Sequence, residues 1–534
     1  MISSVSGPTT LTFDQLSIVL IILVILVAAF NGLRNRPMPS MYPILLGMQS
    51  DLARVRRKSE SPIFRNTGSG MGMLPTSPTK SIKDLHDLIA VADGKFNSLN
   101  CPQKSPKGAL KMLVAQARLQ LWSILKEIPN LNDGLHPRFL ILISDPYLDL
   151  VFSLAAATLP CTTLRILVHS SDSIPVEIQQ ACQRQLHHLA LILCDSKLQE
   201  AVKDWTASHC QPKILGHDDV SDWFDSKLST DIKESDPDSS QDGVFMTLHL
   251  STPTEKKEES YFISFTPKCL LAGVTAALAM FPMSKGLSST DRVGIEMNSN
   301  ALWGFEAAIA TAATYAGAEV CYFQKIEELN DWQPTVLVCR SEVLENLAQE
   351  IRLIANQKLS YKLIIGRNLS YLNEGILANK VIGFPIPISK SLRTIFTRGP
   401  LTQSSANVLR AGLGTSLQQV YSNALVAGPI LATKPGDFQS LGNSQSILHY
   451  GPPTATNECK IIGIPEPSIL DHDAIKGQLA VKGPAVTNRI TDTQTGKNVE
   501  GKIISEGFLL LSENSQLLTN GTVRILSNDL SWDQ

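Results

Sequence analysis

The sequence predicts an α/β protein: two doubly wound α/β parts in tandem, a small β part on the C-terminal side, and one transmembrane helix ahead of them. Three observations carry this. Short apolar runs such as RFLILIS, TLRILVHS and ALILCD alternate with longer segments of helical periodicity, as buried parallel strands joined by crossover helices do. From residue 443 onward the long periodic segments give way to short strands broken by Gly and Pro. Near the N-terminus, residues 16–33 carry no charge at all.

Residues 1–15 are expected to form a short non-cytosolic tail and 16–33, LSIVLIILVILVAAFNGL, a membrane anchor. As a helix that run is about 27 Å long, enough to cross a bilayer. Asp14 precedes it, whereas Arg34, Arg36, Arg54, Arg56, Arg57 and Lys58 follow. The positive-inside rule therefore places the bulk of the chain in the cytosol, as a single-pass protein. So short a span suits the thin bilayer of the endoplasmic reticulum. A cleaved signal peptide is the competing reading, weakened by the lack of a basic n-region and by a poor cleavage site.

Residues 34–110 are rich in Ser, Pro and Gly and read as a juxtamembrane segment lying on or beside the body. Ser61, Ser77 and Ser105 each precede a proline, and phosphate there would weaken attraction of the basic flank to anionic lipid. The first α/β part, 111–225, runs KMLVAQARLQLWSIL (helix), RFLILIS (strand), LDLVFSLAAATLP (helix), TLRILVHS (strand), PVEIQQACQRQLHHL (helix) and ALILCD (strand). An acidic linker, SKLSTDIKESDPDSSQDG, occupies 226–243. The second part, 244–442, holds CLLAGVTAALAMFP and ALWGFEAAIATAATYAG as helices. DRVGIEM, AEVCYF, PTVLVC, KLIIGRN and TIFTRG are expected to be its strands. The remainder, 443–534, is the small β part, with SILHYGPP, ECKIIGI, GQLAVKGP and GKIISEGFLLL.

Composition narrows the function classes. A net charge of −2 on 534 residues gives no footprint for nucleic acid. The nine cysteines form no CxxC and no Cys/His cluster, which favours reduced buried thiols over disulfides or zinc. His187 and His188 share a helix without partner ligands and read as helix-surface residues. HExxH, GxSxG and GxxxxGK[ST] are all absent, so a metalloprotease, an esterase and a P-loop NTPase have no support.

Five segments in order resemble the adenylate-forming (AMP-binding) superfamily, specifically eukaryotic long-chain fatty acyl-CoA synthetases. FTPKCLLAGVTAALAMFP looks like the "THKNLVAGV" helix after their phosphate loop, and PTVLVCRSEVLENLAQEI is similar to "PTVLAAVPRVLEKIYDKI". LRTIFTRGPLTQSSANVLRAGLG resembles "LRLIISGGAPLSPEVQEFLRAALG", ILHYGPPTATNECKIIGIPE resembles "GHVGPPLPCNEIKLVDVPE", and GQLAVKGPAV resembles "GEICIRGPNV". The resemblance implies the large N-terminal domain of these enzymes, which activate a carboxylate with ATP and pass the acyl group to coenzyme A.

It also marks where chemistry is missing. The "TSGTTGxPKG" phosphate loop falls on HLSTPTEKKEES, which offers Ser251, Thr252 and Thr254 but three glutamates and no glycine. Glycine lets backbone amides approach a phosphate, and carboxylates repel it. In the "YGxTE" motif Tyr421 remains, while the threonine and the magnesium-binding glutamate fall on Ala424 and Leu425. Leucine cannot ligate a hard cation. The adenine-contacting "SGGAPL" turn keeps Gly399, Pro400 and Leu401 but has Arg398 for a glycine, and the ribose-holding aspartate falls on Glu513. Trp303 and Phe305 lie where such synthetases shape an acyl pocket, although ordinary helix packing is the simpler reading for both. NGTVRILSNDLSWDQ resembles "DGTLKIIDRKKDLVKL", with the hinge "DR" replaced by Ser527 and Asn528, which implies truncation before the mobile domain carrying the catalytic lysine.

The expectation is a membrane-anchored pseudoenzyme, a regulatory or interaction subunit in fatty-acid metabolism. No residue is assigned a catalytic or metal-binding role. Ser251, Thr252, Thr254, Gly399, Tyr421 and Glu513 stand as degenerate nucleotide-site positions. No cofactor is expected. The expected partners are the membrane, an active acyl-CoA synthetase or another lipid enzyme, and a fatty acyl ligand. The alternative is a divergent fatty acid–CoA ligase whose missing elements come from a partner; ATP, magnesium and coenzyme A belong to that alternative alone.

Overall fold

The computed structural model describes residues 15–34, 40–54, 59–69, 72–97, 108–127, 137–166, 189–206, 212–225, 243–244, 246–254, 257–297, 304–377, 380–381, 384–399, 401–438, 447–463, 475–487, 489–492, 499 and 503–526. Residues 226–242 of the acidic linker, His187, His188, Ser105, Trp303 and Pro400 lie outside them.

Three sheets organise the chain. In the first α/β part the parallel strands Arg138–Leu142, Thr162–Ile166, Leu189–Cys194 and Lys213–Gly216 are flanked by the antiparallel pair Met246–Thr254 and Lys257–Phe265 and then by Arg489–Asp492. In the second part Ser416–Ser422, Thr394–Arg398, Val336–Arg340, Arg292–Glu296 and Glu319–Phe323 are parallel neighbours in that order. The third sheet is antiparallel and is built mainly from Ile447–Gly451, Glu458–Ile462, Ile475–Lys482, Phe508–Leu517 and Val523–Leu526.

Three helices are apolar on all sides because they are enclosed on all sides. Every residue of Pro146–Ala157 is buried, as are ten residues each of Pro267–Ala279 and Phe305–Tyr315. Local chemistry starts them where the sequence implied. Asp145 accepts from the Tyr147 amide at 2.8 Å, and Thr266 accepts from the Cys269 amide at 3.4 Å, each just ahead of a proline at the first helical position. One hydrophobic core joins these helices to side chains from all three sheets, from Ile82 to Ile525.

Several expectations change. KLIIGRN is not a strand; it lies within the helix Leu359–Asn373, where Ile365, Asn368 and Leu372 recur at helical spacing on the buried face. Residues 50–54 and 59–66, expected on or beside the body, are part of it. Ser50–Arg54 pairs with Ile63–Asn66, which pairs with Glu458–Ile462 and so extends the C-terminal sheet. Ser61 is consequently buried, its hydroxyl accepting from the Ile461 amide at 2.8 Å, and it offers no site for a kinase. Ser77 is half-buried, its hydroxyl donating to the Thr79 carbonyl at 3.2 Å. The apolar N-terminal run folds as the helix Gln15–Arg34, with Ile18 to Val27 exposed. Among the described residues no helix is long and apolar enough to cross a membrane.

Candidate functional site

The parallel strands of the second part present their carboxyl ends along one edge. Chain order begins at Arg292–Glu296, moves to Glu319–Phe323 on one side, then to Val336–Arg340 on the other. Ligands of open α/β sheets bind outside such a reversal point. Here the reversal carries an ion pair of the chain's own. The Arg340 amide donates to Glu296 Oε2 at 2.7 Å, and its guanidinium donates to Oε1 at 2.7 and 2.9 Å.

A second pair stands beside it. Arg398 ends the strand Thr394–Arg398 and meets the carboxylate of Glu306. Glu306 lies in the first turn of Phe305–Tyr315, which follows Gly304 at a φ of 91°. Positive φ demands glycine there, and the helix start favours a carboxylate. Glu306 is buried at 4% exposure and Arg398 nearly so at 12%, so the pair fills space as well as balancing charge. Arg398, which the resemblance sets at a glycine of the adenine turn, is therefore committed to Glu306. Gly399 follows at a φ of 81°, and a β-carbon on it would lie 3.0 Å from the Ser341 hydroxyl.

Tyr421, in the buried strand Ser416–Ser422, packs its ring 5.5 Å from that of Tyr450. Asn423 then bridges two elements. Its side-chain oxygen accepts from the Leu425 amide at 3.0 Å, and its Nδ2 donates to Glu513 Oε1 at 3.1 Å. Glu513 is 1% exposed on the strand Phe508–Leu517. The chain thus brings the Tyr421 and Glu513 positions together through Asn423, a residue that no motif singled out. Leu425 is 7% exposed. Phe305 is fully buried and packs edge-on 5.9 Å from Phe396, as a core residue.

Ser251, Thr252 and Thr254 belong to the other α/β sheet. Their strand pairs with Lys257–Phe265 without a break from Phe265↔Met246 to Lys257↔Thr254. A phosphate loop is a stretch of open backbone whose amides converge on an anion, whereas residues 246–254 and 257–265 are ladder-paired throughout. Thr487 ties this hairpin to the Tyr421 loop: its hydroxyl donates to the Ser264 carbonyl at 2.5 Å and its amide to the Leu425 carbonyl at 3.3 Å.

At the positions that the motif resemblance assigns to magnesium, adenine and phosphate stand the hydrocarbon Leu425, Arg398 already paired with Glu306, and a paired hairpin, a set that does not fit magnesium–ATP. The Glu296–Arg340 and Glu306–Arg398 pairs were not foreseen. Glu306 does leave a trace in the sequence, as the lone carboxylate of the alanine-rich stretch FEAAIATAATY. Among the described residues, Asp84, His86 and Asp87 are grouped closely enough for a cation, but Asp84 and Asp87 accept from the backbone amides of Asp87 and Lys83.

No family model matches the chain, and no curated protein is similar to it in sequence. Solved structures do share the fold. Apo MatB from Rhodopseudomonas palustris is 13% identical, with 84% of this chain and 79% of that one covered at a TM-score of 0.60. McyG A-PCP complexed with phenylalanyl-adenylate is 12% identical, covering 85% and 78% at 0.61. The luciferase-like enzyme of the nonluminescent mealworm Zophobas morio is 12% identical, covering 85% and 97% at 0.59. The fold is that of adenylate-forming enzymes.

Proposed function

We propose that this chain is an adenylate-forming fold put to non-catalytic use: a membrane-anchored regulatory or interaction subunit in fatty-acid metabolism. One observation carries the non-catalytic half. The Glu306–Arg398 pair engages the arginine of the turn that the resemblance assigns to adenine, and buried Leu425 stands where the resemblance expects an oxygen ligand. The paired hairpin at 246–265 supports the same reading. The uncharged run 16–33 with its basic flank supports anchoring in the endoplasmic reticulum, with the body cytosolic. The fatty-acid context rests on motif resemblance to long-chain synthetases. It makes an active synthetase, or another lipid enzyme, the partner to seek, and a fatty acyl chain the ligand.

A second reading draws on Glu513 and Tyr421, which keep a carboxylate and an aromatic ring where such enzymes use them. It is a divergent fatty acid–CoA ligase. One experiment separates the two. The purified chain is incubated with ATP, magnesium, coenzyme A and long-chain fatty acids, and acyl-adenylate and acyl-CoA are sought by mass spectrometry beside an active synthetase. The non-catalytic reading expects neither product from folded protein. Turnover that disappears on Glu513→Ala overturns it.

A further inference from the structure

The helical hairpin Ser341–Gln357 and Leu359–Asn373 covers one face of the second α/β sheet, and its outer surface is unusual in two independent ways. First, three leucines point outward: Leu353, Leu359 and Leu363 are 65%, 72% and 64% exposed. Secondly, although the first helix carries exposed Glu342 and Glu350, charge beyond them has one sign. Between Glu350 and Glu374 the chain has no Asp or Glu but carries Arg352, Lys358, Lys362 and Arg367. Arg352 is spoken for, donating to the Ser404 hydroxyl at 2.9 Å. Lys358, Lys362 and Arg367 are exposed, the first lying 5.5 Å over the Tyr361 ring and the last 5.9 Å over that of Tyr371.

The course of the chain adds a third observation. The Ser40 amide donates to the Gly375 carbonyl at 2.9 Å, and its hydroxyl accepts from the Leu377 amide at 3.1 Å. The segment emerging from the N-terminal helix is therefore fastened to the turn that ends the basic helix. Six residue steps from Arg34 to Ser40 span at most about 22 Å.

We propose that this hairpin is an interfacial membrane contact, laying Leu359 and Leu363 among the headgroups of an anionic bilayer while Lys358, Lys362 and Arg367 pair with lipid phosphates and carboxylates. Leucine flanked by lysine and arginine is the composition of surfaces that lie in the interface plane, and each cation near such a surface favours docking about fivefold. A helix of fifteen residues is about 22 Å long, so one side of the body would rest along the bilayer rather than hang from a tether. The inference rests on the membrane reading of the N-terminal helix, and the two fail separately.

The test uses the full chain with vesicles of phosphatidylcholine alone and of phosphatidylcholine with phosphatidylserine. Flotation on neutral vesicles reads the N-terminal helix. Amide hydrogen exchange across 358–373, compared between the two compositions, reads the hairpin. The expected result is slower exchange on phosphatidylserine, lost at high salt and in the Lys358→Glu, Lys362→Glu, Arg367→Glu variant, whose changes are all at exposed positions. Equal exchange on both compositions from protein that floats on neutral vesicles overturns the contact and leaves the anchor. Protection on phosphatidylserine from protein that does not float on neutral vesicles upholds the contact and overturns the anchor.

Discussion

Gly273 and Gly428 pass so close that neither position has room for a side chain. A β-carbon on Gly273 would lie 1.7 Å from the Ala427 carbonyl oxygen, and one on Gly428 would lie 2.6 Å from the Gly273 α-carbon. The contact clamps the buried helix Pro267–Ala279 onto the loop that follows Tyr421, and so fixes the candidate site from beneath. Backbone on both sides leaves nothing soft to yield. Gly273→Ala and Gly428→Ala are each expected to cost on the order of 3 kcal/mol or to prevent folding, read as a fall in the thermal midpoint. An unchanged midpoint would mean that helix and loop are not in contact.

The Glu306–Arg398 pair makes a prediction about coupling. Glu306→Leu alone strands a buried guanidinium and should cost about 3–5 kcal/mol. Adding Arg398→Met should recover most of that loss, because an apolar pair can fill the same volume without desolvated charge. A double-mutant cycle in denaturant checks it. Simple additivity would show that the two charges do not interact.

Acid should weaken the protein through His449. Desolvation, aided by Arg524 and Arg410 and opposed by Asp437, pushes this imidazole down to about 4, with Nε2 3.0 Å from the Thr522 hydroxyl. The unfolded side chain titrates near 6.5, so between those values the unfolded state takes a proton that the folded state refuses. Stability is then full above about pH 6.5 and declines as pH falls towards 4. His449→Gln is expected to flatten that decline, seen by comparing midpoints at neutral pH and at about pH 5.

Gly366 offers the opposite sign. It sits inside Leu359–Asn373 with no atom within 4 Å of where a β-carbon would be. Gly366→Ala should stabilise the protein by about 0.5–1 kcal/mol by restoring helix propensity, measurable in the same melts.

The sequence holds two N-glycosylation sequons, NLS at Asn368 and NGT at Asn520, and Asn368 cannot report topology. Its side chain is 2% exposed and donates to the Ala411 carbonyl at 2.8 Å. No glycan is expected at Asn368 in eukaryotic cells, whichever side of a membrane the body occupies. A gel shift removed by Asn368→Gln would show that this helix is open when glycan is attached. Half-buried Asn520 is the informative position.

Much of the architecture was legible because buried parallel strands and enclosed helices leave strong local signals. RFLILIS, ALILCD and TIFTRG became Arg138–Leu142, Leu189–Cys194 and Thr394–Arg398. KLIIGRN misled because a three-residue apolar run fits a strand or the buried turn of a helix. Only the wider spacing of Tyr361, Ile365, Asn368 and Leu372 decides between them. At the candidate site, single residues such as Leu425 and Arg398 could be read against a motif. What Arg398 does could not, because its partner Glu306 lies in another segment and only the folded sheet brings them together. The same holds for Asn423 and Glu513, ninety residues apart.

The pairing of Ile63–Asn66 with Glu458–Ile462 has a consequence for how the chain is made. Lys460 reaches back to Glu60, and the Ile461 amide to Ser61, each across 400 residues. A ribosome adding about 5–20 residues per second leaves the early hairpin without its neighbour for roughly 20–80 seconds. During that interval an unsatisfied strand edge waits in the cell. Birth, rather than the finished fold, is then when this protein most needs a chaperone.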